Sequence, residues 1–335
     1  MIEAARTRRS ARGWTIIALR WIAALTVIGV LLHFLPLATV RSAIARVPPP
    51  YFAAALAGYL LAHALGVLKW RMVVNAAGAE LDLTTSLRCY GGGLFGTLFL
   101  PSIVGGDVIR LAVGLRRSPR PAAVLAGNVV DRILDVAAQA SLVALGLALL
   151  PGSLPESLRS IATRTLLLVL SAGAVLLALL FFLRGVLFGG RSIRFRRRLA
   201  RLRHALRSVS RRPHVLVAGW LAGTAIQSTF LVLTAWLATA CGLHLPLRVW
   251  LFAWPLAKLA ALLPLTQGGI GVREAALVAL LAPFGAAGTL VLASGLVWEG
   301  VIVFGGIVAG LAAFLAGRQT GSAVDSTGAT STTTK

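Results

Sequence analysis

Two stretches of this 335-residue chain carry the same set of unusual residue types. Residues 100–110 read LPSIVGGDVIR and residues 263–273 read LPLTQGGIGVR; both fit L-P-x3-G-G-x3-R, 163 residues apart. Pro101 and Pro264 cannot continue a helical hydrogen-bond ladder, which makes them expected hinges. The pairs Gly105–Gly106 and Gly268–Gly269 permit tight turns. Each motif therefore predicts a broken helix. The N-terminus of the half-helix that follows would turn unpaired N–H groups toward an anion. Arg110 and Arg273 stand four residues past each glycine pair. There a guanidinium can add a bidentate contact to a phosphate. The plainer alternative is a structural kink with the arginine reaching for the interface; the duplication favours binding.

Acidic residues form the second group. Asp107, Asp131, Asp135, Glu274 and Glu299 are five of the ten acids in the chain, and all lie in or beside apolar stretches. Asp131 and Asp135 are one helical turn apart and share a face. Charges at such depth are costly, so these side chains are expected to face an interior cavity. Their expected partners are Arg132, Arg110, Arg273 or Lys258, in a structural ion-pair network or in a relay that couples or gates movement. Arg273 and Glu274 are adjacent, do not share a helix face, and are expected to find partners in the other half of the chain.

The elements that must hold these groups follow from composition. Hydrophobic residues make up 58% and charged residues 13% of the chain, with mean hydropathy +0.86. Soluble domains carry about 25% charged residues. The fold class implied is an all-α polytopic membrane protein. Helical spans need roughly 20 apolar residues. Candidates lie near 17–39, 51–74, 86–103, 121–150, 165–183, 214–241, 250–264 and 274–315, about eight in all, the last divided into a half-helix at 274–284 and a span at 287–315. The formal charge of +23, with 30 of 33 basic residues being Arg, would suit nucleic acid in a soluble protein. In a membrane protein it marks cytoplasmic loops, and no nucleic-acid partner is expected. Arg184–Arg212 holds 11 Arg and no acid, with apolar residues at helical spacing. It reads as a basic amphipathic helix on an anionic leaflet, or simply as a positive-inside loop. The arginines before the first span suggest a signal peptide, but no cleavage site follows clearly, and it is read as a retained span. Residues 316–335 read as a disordered tail. Cys89 and Cys241 form no CxxC, and the histidines form no HExxH, so no metal or cofactor is expected. No phosphate-binding GxxxxGK[ST] or nucleophile GxSxG occurs. The chain is expected not to be an enzyme.

The repeat extends beyond the motifs. GAELDL at 78–83 parallels GLHLPL at 242–247, and Gly127, Val129 and Asp131 parallel Gly295, Val297 and Glu299. Two halves result, 14–150 and 165–315, joined by an external loop at 151–164 and preceded by a basic cytoplasmic segment at 1–13. If 86–113 dips into the membrane and returns, Arg116, Arg117 and Arg120 stay with the other cytoplasmic arginines. The second half then runs in the opposite sense, an inverted-topology repeat of a kind common in transporters. Both termini are then cytoplasmic, and nine charges remain in the membrane: Arg110, Arg132, Lys258, Arg273 and the five acids.

FLPSIVGGDVIRLAVGLRR, NVVDRILD and LPLTQGGIGVREAAL together resemble the membrane domain of bacterial lysylphosphatidylglycerol synthase/flippases (multiple peptide resistance factor proteins) and the stand-alone proteins with that domain. The resemblance covers about 14–315. It implies two related halves with re-entrant helices, and a domain that moves an aminoacylated phospholipid between leaflets after a separate cytosolic domain has made it. The residues that match the family's motifs are Pro101, Gly105, Gly106, Asp107 and Arg110; Asp131 and Arg132; and Pro264, Gly268, Gly269, Gly271 and Glu274. A polar tail follows the last span, so the aminoacyltransferase domain is expected to be absent. The expected partner is then a membrane lipid, either an anionic phospholipid or a polyprenyl-phosphate lipid. Three functions stand at this point: a lipid flippase-like transporter of the cytoplasmic membrane, a non-transporting subunit that anchors a separate lipid-modifying enzyme, and an integral-membrane transferase. Oligomeric state is left open.

Overall fold

A computed structural model describes residues 37–99, 103–150, 155–167, 193–261 and 269–328, with isolated positions 22, 25, 26, 29, 171 and 266. The expected spans at 17–39 and 165–183, the hinges Pro101 and Pro264, Gly268 and residues 184–192 lie wholly or mostly outside these. The helices are α1 (Leu37–Ala45), α2 (Pro49–Ala76), α3 (Leu83–Thr97), α4 (Ile103–Arg117), α5 (Pro121–Leu149), α6 (Ile193–Ser210), α7 (Pro213–Ala240), α8 (Leu247–Ala260), α9 (Val272–Leu281) and α10 (Gly288–Gly328), with a further helical stretch at 156–167. No strand occurs among the described residues. The protein is an all-α, multi-pass membrane protein. α2, α5, α7 and residues Gly288–Gly317 of α10 are long and apolar enough to cross a bilayer. Their outer faces carry Leu61, Leu68, Leu221 and Phe314, all more than half exposed, while their inner faces pack on one another. Helices that are apolar all round suit lipid on one side and protein on the other.

Local chemistry sets where these helices begin. α2, α5 and α7 each have Pro at the first helical position, where the missing N–H costs nothing. Asp82 caps α3 by accepting from the Thr85 N–H at 3.1 Å. Tyr51 near the start of α2 stacks on Trp236 near the end of α7, with ring centroids 4.5 Å apart. At the other end of α2, Val73 meets Gly219 near the start of α7. α2 and α7 are therefore antiparallel and run through the middle.

The two broken-helix units enter from opposite ends. α3 starts beside the C-terminal end of α2, where Asn75 brackets Leu81 with two hydrogen bonds of 2.8 Å. α4 returns to that same end, where the Ser118 hydroxyl donates to the Ala79 carbonyl at 2.8 Å. The α3–α4 unit thus begins and ends at one end of the molecule, and Arg116 and Arg117 share that end with α6. α8 starts at the other end, beside the C-terminus of α7. Val249, Phe284 and Leu290 there join one apolar cluster with Leu150 and Phe52. Helix neighbours follow the same exchange. α3 packs on α10 as α8 packs on α5, α5 on α7 as α10 on α2, and α4 on α5 as α9 on α10.

Three expectations change. Gly105 and Gly106 lie inside α4 and not in a turn; neither has positive φ. Gly106 serves close approach instead: a Cβ there would stand 2.5 Å from the Gly93 carbonyl oxygen on α3. In the second motif the turn is real, with Gly269 at φ +80° and Gly271 at φ +84° before α9 begins. α6 is amphipathic, but the apolar face of its C-terminal part is covered by protein. Ala205 and Val209 are buried with Ala76, Ala79 and Ala123, and Ser208 donates to the Ala76 carbonyl at 2.9 Å. Its exposed face carries Arg197, Arg201 and Arg207. Finally, α10 stays helical to Gly328, well into the stretch read as a disordered tail. Extending an existing helix needs no new nucleus, so polar residues can continue it.

Candidate functional site

The first motif feeds a compact ion-pair network between α2, α4 and α5. On α5, Asp131 and Asp135 face α2, and Lys69 reaches both, at 2.9 and 2.5 Å. Arg110 on α4 lies 3.4 Å from Asp131, 3.1 Å from Asp107 and 2.8 Å from the Asn128 amide oxygen. The Trp70 indole N–H donates to that same oxygen at 3.1 Å. Trp70 and Tyr90 hold the Arg110 guanidinium between them, 5.4 Å from each ring centroid. Arg132 closes the network on Asp107 at 2.7 Å and Asp135 at 3.3 Å. Three cations thus face three carboxylates. Lys69, Arg110 and Asp131 are at most 4% exposed.

The second motif builds a smaller counterpart. Arg273, at the start of α9, donates to Glu274 at 2.6 Å and to Glu299 on α10 at 2.6 Å. The Glu274 carboxylate also accepts the Gly271 N–H at 2.7 Å. It therefore occupies the N-terminus of α9, the place where a ligand anion was expected. The expectation that Arg273 and Glu274 would not meet is overturned, because Glu274 turns back to cap its own helix and Arg273 follows it. Both partners of Arg273 belong to its own half. Each motif arginine thus meets a carboxylate on a following long helix, Arg110 with Asp131 on α5 and Arg273 with Glu299 on α10.

Between these networks lies open space. A cavity of about 370 Å³ is lined by aromatic and aliphatic side chains, among them Tyr59, Leu98, Phe99, Trp254, Trp298 and Ile307. Lys258, Arg273 and Glu299 supply its charges. A second, of about 130 Å³, is lined by Lys69, Asp107, Arg110, Arg132, Asp135, Gln139 and Gln227. His63, Leu94, Thr97, Phe230 and Lys258 border both. One compartment is oily, the other ionic, and they share a wall. Asp131 and Glu274 stand behind the lining. Five cations and three anions therefore face the space, a surplus of two positive charges.

Of the residues expected at a site, Arg110, Arg132, Asp107, Asp131 and Asp135 meet in one network, and Arg273, Glu274 and Glu299 in the other. Gly106 and Gly269 hold the hairpins that carry them, and Gly105 is buried in α4. Pro101, Pro264 and Gly268 lie outside the described residues. Lys258 finds no carboxylate; it donates to the Gln227 amide oxygen at 2.7 Å. Sequence reasoning did not single out Lys69, Asn128, Gln139 or Gln227. One signal was present: the chain has three lysines, and two of them are here. Among the described residues no cluster of His, Cys, Asp and Glu is arranged to hold a metal ion.

Residues 20–310 match the family described as "Lysylphosphatidylglycerol synthase TM region". No curated protein matches the chain.

Proposed function

From the premise that the chain belongs to the lysylphosphatidylglycerol synthase TM-region family, we propose that it is a flippase-like lipid transporter, not an enzyme, in the cytoplasmic membrane. Its cargo is a phospholipid or lipid-linked anionic headgroup. One observation carries the reading: an ionic compartment and an apolar compartment share a wall between helices of both halves. An amphiphile needs such a pair, one for its headgroup and one for its chain. Lys258 on the shared wall, with no carboxylate at ion-pair distance among the described residues, favours an anionic head.

The two halves act as inverted repeats that rock about α2 and α7. Pro101 and Pro264 are the hinges. The ion pairs of Asp107, Asp131, Arg132 and Asp135 on one side, and of Glu274 and Glu299 on the other, hold the closed states and exchange partners as the lipid passes. The Arg-rich end carrying Arg116, Arg117 and α6 faces the cytoplasm, with both termini. In the absence of a nucleotide motif, a gradient or the lipid supply drives transport. A second reading has one observation behind it: the exposed arginine face of α6 would dock a separate lipid-modifying enzyme, and the protein would anchor that enzyme without transport.

Reconstitution separates them. Full-length protein in liposomes is given short-chain labelled phosphatidylglycerol, its aminoacylated form and a polyprenyl-phosphate lipid, and leaflet exchange is followed by dithionite quenching. Exchange of at least one supports transport. Exchange at the protein-free rate for all three overturns it.

A further inference from the structure

Five cations face the two compartments, and four of them are already matched. Lys69, Arg110, Arg132 and Arg273 each lie within 3.4 Å of one or more carboxylate oxygens. Among the described residues Lys258 alone of the five has no carboxylate within ion-pair distance. Its ammonium uses one donor on Gln227, at 2.7 Å, and stands 5.1 Å from the Phe230 ring centroid. An ammonium has three donors, so two remain without an acceptor among the described residues. Lys258 is also the one cation that borders both compartments. One turn earlier on α8, and so on the same face, Trp254 lines the larger cavity. It is 2% exposed, and its indole N–H has no acceptor among the described residues. A buried donor without an acceptor is costly, and so is a cation without a counter-charge.

We propose that Lys258 and Trp254 form the direct contact for a phosphate-type oxyanion of a bound amphiphile. The inference rests on the transport reading for the cavity, and it moves the headgroup contact away from the motif arginines. Arg110 and Arg273 are positioning residues, held by their own carboxylates. The oxyanion sits where the compartments meet, and the apolar chain runs beside Leu98, Phe99 and Ile307. Lysine suits the place because a compact point charge with rotatable donors accepts a phosphate from several directions, as a moving lipid requires.

The test is calorimetric titration of the full-length protein in detergent with three probes: dihexanoyl phosphatidylglycerol, dihexanoylglycerol and inorganic phosphate. The phospholipid binds, and the diacylglycerol binds at least about tenfold more weakly, as expected for a lost charge-assisted hydrogen bond. Lys258→Met weakens phospholipid binding by about tenfold or more, and Lys258→Arg by less than about threefold. Trp254→Phe weakens it by roughly three- to tenfold. If Lys258→Met does not fold, Gln227→Glu does the same work by giving Lys258 a carboxylate, with an equal loss of affinity. Wild-type affinity in both Lys258→Met and Gln227→Glu overturns the inference. So does equal affinity for the diacylglycerol, or no binding of the phospholipid. Equal affinity for inorganic phosphate overturns the lipid as its source. The expected variant pattern in a protein that exchanges no lipid leaves this inference standing and removes only the transport reading.

Discussion

Glu274 holds two positions at once: it caps α9 through Gly271 and anchors Arg273. Glu274→Gln should lower stability by about 3 kcal/mol, because breaking a buried pair strands its partner. The midpoint of thermal unfolding in detergent measures it. Arg273→Gln in the same background should then cost less than it does alone, since the pair has already been broken. Lys69→Met should cost a similar amount, about 3 kcal/mol, by leaving Asp131 and Asp135 facing each other; adding Asp135→Asn should recover part of it. Which acids and arginines are buried was legible from their isolation in apolar sequence. Lys69 was not, because it lies one to two turns from the end of its helix, where a lysine ordinarily serves a loop. The Arg273–Glu274 contact was hidden for a different reason. Spacing rules describe side chains that stand out from a helix, and Glu274 instead folds back over the first turn.

Among the helices, Gly93 and Gly106 bring the backbones of α3 and α4 together in the first hairpin. Gly106→Val should destabilise the protein by about 2 kcal/mol by forcing α3 from α4, whereas Gly92→Ala, whose methyl would meet Ile109 at an ordinary 3.8 Å, should be close to neutral. The motif's glycines were visible in sequence, but not the kind of work they do. A glycine pair reads the same whether it makes a turn, as near Gly269, or a crossing, as at Gly106. α6 shows a similar limit. Its amphipathic spacing was plain, yet spacing does not tell lipid from protein as the partner of the apolar face. Val209 has no exposed surface. Val209→Asp should therefore release α6, and trypsin should cleave at Arg207 many times faster than in the wild type. Unchanged cleavage would mean that α6 is held by its arginines alone.

For the whole molecule, opposed hairpins place the exposed Arg117 and Arg248 at opposite ends. Cysteines at these two positions should react with a membrane-impermeant maleimide from opposite sides, while Cys89 and Cys241, both buried, stay silent. Labelling from one side only would refute the crossing pattern. The repeated motif and the uneven arginine distribution were readable in advance, since both are properties of sequence. The cavity was not, because its walls come from six helices and no local pattern records them. The structure adds Lys69 to the nine charges expected in the membrane, which makes five cations and five carboxylates. Their sum is zero, and that has an electrical meaning. Moving one net charge through a 100 mV membrane potential takes about 2.3 kcal/mol. A core that rocks as a neutral body does no such work, so the resting potential neither favours nor opposes its swing. Voltage would then act on the passenger alone. In proteoliposomes under a potassium diffusion potential, exchange of a zwitterionic lipid should proceed at an unchanged rate, while that of an anionic one follows the field.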